Sequence, residues 1–107
     1  MSELDKLEAY LKDKGIPYTR EDKEERRDQQ GYILSMPRHQ IIVNDSEGRR
    51  LWDAICQRGS YGNEEGLLEV MGSPVVREED GDSICGWLTA EDVIARLEEV
   101  ANAHIHD

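Results

Sequence analysis

The stretch LWDAICQRGSYGNEEGLLEVMG, Leu51 to Gly72, decides how the chain is read. Strand alternation over residues 50–57 sets Trp52, Ala54 and Cys56 on one face and Leu51, Asp53 and Ile55 on the other. The face carrying Asp53 is the wetter one, so Trp52, Ala54 and Cys56 are expected against the core. A glycine-punctuated loop follows, Gly59-Ser60-Tyr61-Gly62. Asn63 then reads as the cap of a short helix with Glu64 and Glu65 in its first turn, where the helix dipole favours negative charge. Leu67, Leu68 and Met71 would form its apolar face, and Gly72-Ser73-Pro74 ends it.

Working outward, residues 38–43 (RHQIIV) are dense in β-branched side chains. The turn NDSEG joins them to the strand at residue 50, so the two form an antiparallel hairpin. Residues 32–35 read as another strand, broken near Pro37, and residues 16–20 as a short one. Between them lies EDKEERRDQQ, residues 21–30, without a single apolar side chain. With nothing to bury, it is expected to be a mobile loop or an extended hairpin tip.

Helices flank this β region. Ser2 and Asp5 form a capping pair for an N-terminal helix striped with Leu4, Leu7 and Leu11, which stops at Gly15 and Pro17. Thr89 and Asp92 repeat the device at a C-terminal helix, with Leu88 and Val93 as its staple. Val93, Ile94, Leu97, Val100 and Ala101 keep helical spacing, and residues 103–107 are expected to fray. Val75 and Val76 look buried. The expected fold is a single α+β domain over residues 1–107. It has a small antiparallel sheet of three to four strands, with an N-terminal helix, a short middle helix and a C-terminal helix packed on one face.

Charge divides the chain sharply. Residues 1–59 hold 12 acids and 11 bases, a net of −1, whereas residues 60–107 hold 12 acids and 2 bases, a net of −10. Such a field repels nucleic acid and membrane surfaces and steers a basic protein surface toward the chain. No apolar run approaches a membrane span, and the charged start is unlike a signal peptide. The expectation is therefore a cytoplasmic protein, with Cys56 and Cys85 as reduced thiols.

Chemical constellations are weak. The Gly59–Gly62 loop lacks the lysine of a phosphate-binding loop and is followed by two glutamates where an anion would sit. Cys56, His39 and Asp53 name a nucleophile, a base and an orienter, yet Asp53 and Cys56 fall on opposite strand faces. His104 and His106 with His39 fall short of a zinc ligand set, and the acidic turn of Glu78, Glu79, Asp80 and Asp82 lacks EF-hand spacing. Neither metal nor cofactor is expected.

The blocks RHQI, LWDAICQRGSYG, EEGLLEVMG, DGDS and GWLTAEDVI resemble a family of small acidic proteins associated with gut Firmicutes, their phages and other mobile elements. The resemblance runs from the first helix to Val100 and is weakest over residues 21–30. It carries over no site residue. It implies a cytosolic accessory protein of a mobile element, a setting in which small acidic proteins include anti-CRISPR and other nuclease inhibitors.

These readings converge on a non-enzymatic acidic protein-binding module that blocks a basic, nucleic-acid-binding protein, imitating a phosphate track. Its contact residues would be Arg58, Tyr61, Glu64, Glu65, Glu69, Glu78, Glu79, Asp80 and Asp82. The alternatives are a small-ligand-binding protein or modest enzyme, using the Gly59–Gly62 loop with Arg58, His39 and Cys56, and a self-associating structural protein.

Overall fold

Ser2 starts the first helix as its side chain dictates. Its Oγ accepts the Asp5 N–H at 3.0 Å while the Asp5 carboxylate accepts the Ser2 N–H at 3.1 Å. In the computed structural model, which describes residues 1–57, 59–77, 80–81 and 83–106 (102–106 by backbone alone), this helix is α1, Glu3–Asp13. The chain continues through β1 (Thr19–Lys23), β2 (Arg26–Arg27), β3 (Ile33–Ser35), β4 (Arg38–Asn44) and β5 (Arg50–Ile55). A single 3₁₀ turn (Asn63–Glu65), β6 (Leu68–Gly72), β7 (Ile84–Leu88) and α2 (Ala90–His106) complete it.

The class is α+β, but the expected inventory is corrected in two ways. The sheet has five antiparallel strands in the order β1-β4-β5-β6-β7, with β2 and β3 forming a separate two-stranded ribbon. Two helices are present among the described residues, and the expected middle helix is not one of them. Gly66 stops the turn that begins at Asn63: it sits at φ +75°, a backbone region that does not propagate a right-handed helix. Beyond it the apolar period is two. Leu68 and Val70 are fully buried while Met71 is exposed, and β6 pairs with β5 at Ala54–Val70 and Asp53–Met71. Leu67, Leu68 and Met71 fit a helical spacing, but the carbonyls and N–H groups along β5 offered a ladder that only a strand could complete.

Other differences are smaller. The first strand lies three residues later than expected, at Thr19–Lys23. Residues 21–30 are the tip of a long hairpin, in which β1 runs on to Lys23 and β2 pairs with β3. Val75 is fully buried without belonging to a strand.

Both helices cover one face of the sheet. Glu3 Oε1 accepts the Ala90 N–H at 2.9 Å, and the Tyr10 hydroxyl donates to Glu98 Oε1 at 2.8 Å. These two ties, at matching steps along each helix, make α1 and α2 run side by side in the same direction. Leu4, Leu7 and Leu11 of α1 and Ala90 and Val93 of α2 meet Ile41, Val43, Trp52, Ala54, Leu68 and Val70 of the sheet in one core. Trp52 and Ala54 thus face the helices, as alternation predicts, with Cys56 packed against the edge of the core. Arg20 fastens β1 to α1, donating to Asp5 at 2.8 Å and Glu8 at 3.1 Å, and to Asp22 at 2.9 Å on its own strand.

Candidate functional site

The loop at residues 59–62 is shaped by short-range chemistry. Ser60 Oγ donates to the Gln57 carbonyl at 2.6 Å and accepts the Gln57 N–H at 3.0 Å, closing a tight turn. Asn63 does not cap with its side chain; its Oδ1 lies 3.8 Å from the Cys56 thiol, which donates to it. The loop then lies down on β7. A Cβ on Gly86 would stand 2.4 Å from the Tyr61 Cβ, so only glycine at 86 lets the loop approach. The Tyr61 N–H donates to Glu69 Oε1 at 3.1 Å, and the Tyr61 carbonyl faces the Trp87 N–H at 3.5 Å.

This docking sets two aromatic rings at the surface. Tyr61 is 60% exposed and Trp87 57% exposed, and together with Glu64, Glu65 and the loop backbone they line a shallow depression of about 320 Å³. Trp87 holds φ +62°, the left-handed region that a bulky side chain seldom occupies. The register between β6 and β7 shifts at this point, between Leu68 and Val70, so a bulge accompanies the strain. Two exposed π-faces beside two carboxylates suit a cation: the rings attract it through their quadrupoles and the acids through charge.

The expected contact residues separate into three groups. Tyr61, Glu64 and Glu65 come together on this depression. Glu69 and Asp80 are used inside the fold instead. Glu69 holds the Tyr61 backbone, and Asp80 takes a two-pronged contact from Arg96, with Nη1–Oδ2 at 2.9 Å and Nη2–Oδ1 at 3.3 Å. Asp80 also accepts the Arg77 N–H at 2.7 Å, and that bond, with Arg96 beside it, holds its carboxyl below the ordinary 3.8. Arg96 extends its grip to the Val75 carbonyl at 2.6 Å, so Val75 and Asp80 both tie the β6–β7 connection to α2. Arg58, Glu78, Glu79 and Asp82 lie outside the described residues.

Trp87 was missed from the sequence. Residues 84–88 (ICGWL) contain no polar side chain to show which of them turns outward, and the one usable signal was glycine beside tryptophan at an edge.

The second constellation, His39 with Cys56, is brought to a shared crevice of about 210 Å³ that Asp22, Arg20 and Glu3 also line. Asp22 rather than Asp53 is the carboxylate next to His39, with Nδ1–Oδ1 at 2.9 Å. That contact, reinforced by Arg20, lowers the Asp22 carboxyl below its usual value. The other ring nitrogen, Nε2, lies 3.6 Å from Glu24 Oε1. Burial, with a contribution from the Glu3 charge, pushes the Cys56 thiol above 9.0, the opposite of what a nucleophile requires. Asp53 points to the far face of the sheet, where Gln40 Nε2 donates to it at 2.6 Å. The loop at 59–62 lines a different depression from this crevice, so loop, His39 and Cys56 do not assemble into one site. Among the described residues no three His, Cys, Asp or Glu side chains are grouped to hold a metal, and no helix is long and apolar enough to cross a membrane.

No protein-family model, curated protein or solved structure matches this chain.

Proposed function

We propose that this protein is a non-enzymatic recognition module whose Tyr61–Trp87 patch, rimmed by Glu64 and Glu65, takes a lysine or arginine side chain from a basic partner protein. The observation that carries the reading is Trp87, held exposed at φ +62° against an exposed tyrosine. A left-handed non-glycine residue costs roughly 1–3 kcal/mol, and such strain concentrates at functional sites. Burying the ring would have been the cheaper use of a tryptophan.

Chemistry supports the choice of partner. A cation over exposed rings gains about 0.5–1 kcal/mol, rising to about 2 as the contact is desolvated. The net of −10 beyond residue 59 adds long-range steering toward a basic surface. A partner that ordinarily holds nucleic acid has such a surface, and occupying it makes this chain an inhibitor. A mobile-element protein acting on a host nuclease, in the anti-CRISPR manner, is the setting that the sequence resemblance supports.

The test is capture of basic nucleic-acid-binding proteins on the immobilised chain, at rising salt, compared with the Trp87→Ala and Glu64→Lys/Glu65→Lys variants. A retained partner should elute at lower salt from both variants, while their thermal melts stay near that of the parent. If both variants hold the same partner at the same salt, the patch is not the recognition surface.

A further inference from the structure

The residues around the Tyr61–Trp87 depression are held from several sides. The Glu65 N–H donates to the Gly62 carbonyl at 3.1 Å, the Gly66 N–H to the Asn63 carbonyl at 2.9 Å and the Leu67 N–H to the Gly62 carbonyl at 2.9 Å. Glu64 and Glu65 therefore project from a closed 3₁₀ turn. A Cβ on Gly62 would stand 3.2 Å from the Trp87 Cα, just as one on Gly86 would meet Tyr61. Two glycines, one in the loop and one in β7, thus press the loop and strand backbones together. A site built on fixed backbone loses little freedom when it is filled.

Its carboxylates are also uncommitted. Several other glutamates are used inside the fold: Glu8 takes Arg20, Glu69 the Tyr61 N–H and Glu98 the Tyr10 hydroxyl. Glu64 and Glu65 are exposed and accept no donor among the described residues, although they line the same depression as the two rings. Successive residues of a 3₁₀ turn project about 120° apart, so the two acids flank a guest instead of converging on one atom.

We infer that this depression selects arginine over lysine, and that the residue it takes is an arginine from the phosphate-binding surface of the partner; the inference rests on the cation reading given above. Tyr61 and Trp87 are both more than half exposed, so the depression stays wet. A lysine ammonium is compact and strongly hydrated, and it gains most from a ring when it sheds its water, which an open site does not force. A guanidinium is planar and weakly hydrated. It lays its face on an aromatic ring and keeps five N–H donors in its own plane for carboxylates. Rings and acids side by side match that division between face and edge. The fork that grips a phosphate grips a carboxylate equally well. An arginine that ordinarily holds nucleic acid is therefore the group that Glu64 and Glu65 can draw away from it.

Octaarginine and octalysine test the choice, because their equal charge cancels the long-range attraction and leaves the contact. Each labelled peptide is titrated with the full chain at about 0.15 M salt, followed by fluorescence anisotropy. Octaarginine should bind about fivefold to tenfold more tightly than octalysine. In Trp87→Gly that ratio should fall to about two or less. Glycine suits the φ +62° backbone at this position, so the variant keeps the bulge, and its circular dichroism should match the parent. Equal affinity for the two peptides, with both weakened by Trp87→Gly, overturns the choice of arginine and leaves the cation reading standing. A preference that survives Trp87→Gly overturns the inference too, by placing its origin elsewhere on the chain. Binding of neither peptide, or equal binding that Trp87→Gly does not change, overturns the inference and the cation reading together.

Discussion

Gly86→Ala should dislodge the Tyr61 loop while leaving the core in place. The added methyl would stand 2.4 Å from the Tyr61 Cβ, 3.3 Å from its carbonyl oxygen and 3.4 Å from Cγ. Carbon atoms rest about 3.5–4.0 Å apart, so the loop must withdraw by about 1 Å or more. The obstructing atoms are next to the backbone, which Glu69 holds through the Tyr61 N–H, so no flexible side-chain end can give way. Overpacking of this kind costs about 1–3 kcal/mol. At roughly 4–8 °C per kcal/mol for a domain of this size, the melting midpoint should fall by roughly 5–20 °C. The assay is urea unfolding of a double-mutant cycle with Tyr61→Gly, which removes the opposing Cβ. In that background Gly86→Ala should cost less than about 0.5 kcal/mol, giving a coupling of about 1 kcal/mol or more. An equal cost in both backgrounds would refute the docking of the loop on β7, and with it the geometry of the Tyr61–Trp87 patch.

Truncations along β6 should distinguish strand from helix: Leu68→Ala is expected to cost about 2–5 kcal/mol in chemical unfolding and Met71→Ala under about 0.5, whereas a helical segment would bury both. Acrylamide should quench Trp87 and spare the buried Trp52, so Trp87→Phe is expected to leave a blue-shifted emission that resists the quencher. Stability should erode at both pH extremes. The carboxyls of Asp5 (bonded by the Ser2 N–H), Asp22 (by His39) and Asp80 (by the Arg77 N–H) are held below 3.8. Their contribution is therefore complete above about pH 4 and is lost as pH falls through the lowered values. Tyr10 acts in the opposite sense: burial, then its bond to Glu98, raises the phenol from 10.0 to about 12. Its share is complete below pH 10 and is lost as pH climbs toward 12, which thermal melts across the range will follow.

What could be read from the residues was local. Ser2 with Asp5 and Thr89 with Asp92 announce helix starts because capping is a contact across three residues, and both pairs are made in full. The hairpin from β4 to β5 is legible for the same reason: β-branched alternation on either side of an Asx turn needs no distant partner. Tyr61, Glu64 and Glu65 were identifiable as neighbours because one short loop holds them. Tertiary structure alone decided the rest. Residues 66–72 satisfy a helical spacing and a strand spacing alike, and the open edge of β5 selected the strand. Glu69 and Asp80 were indistinguishable from surface acids until folding brought them the Tyr61 N–H, eight residues away, and Arg96, sixteen residues away. Trp87 joined the site only through the contact of Gly86 with a residue twenty-five positions earlier. Capping acts within a few residues and net charge is a sum over the chain, so both are written in the sequence, whereas which edge stays open and which acid finds a base depend on partners that only folding supplies.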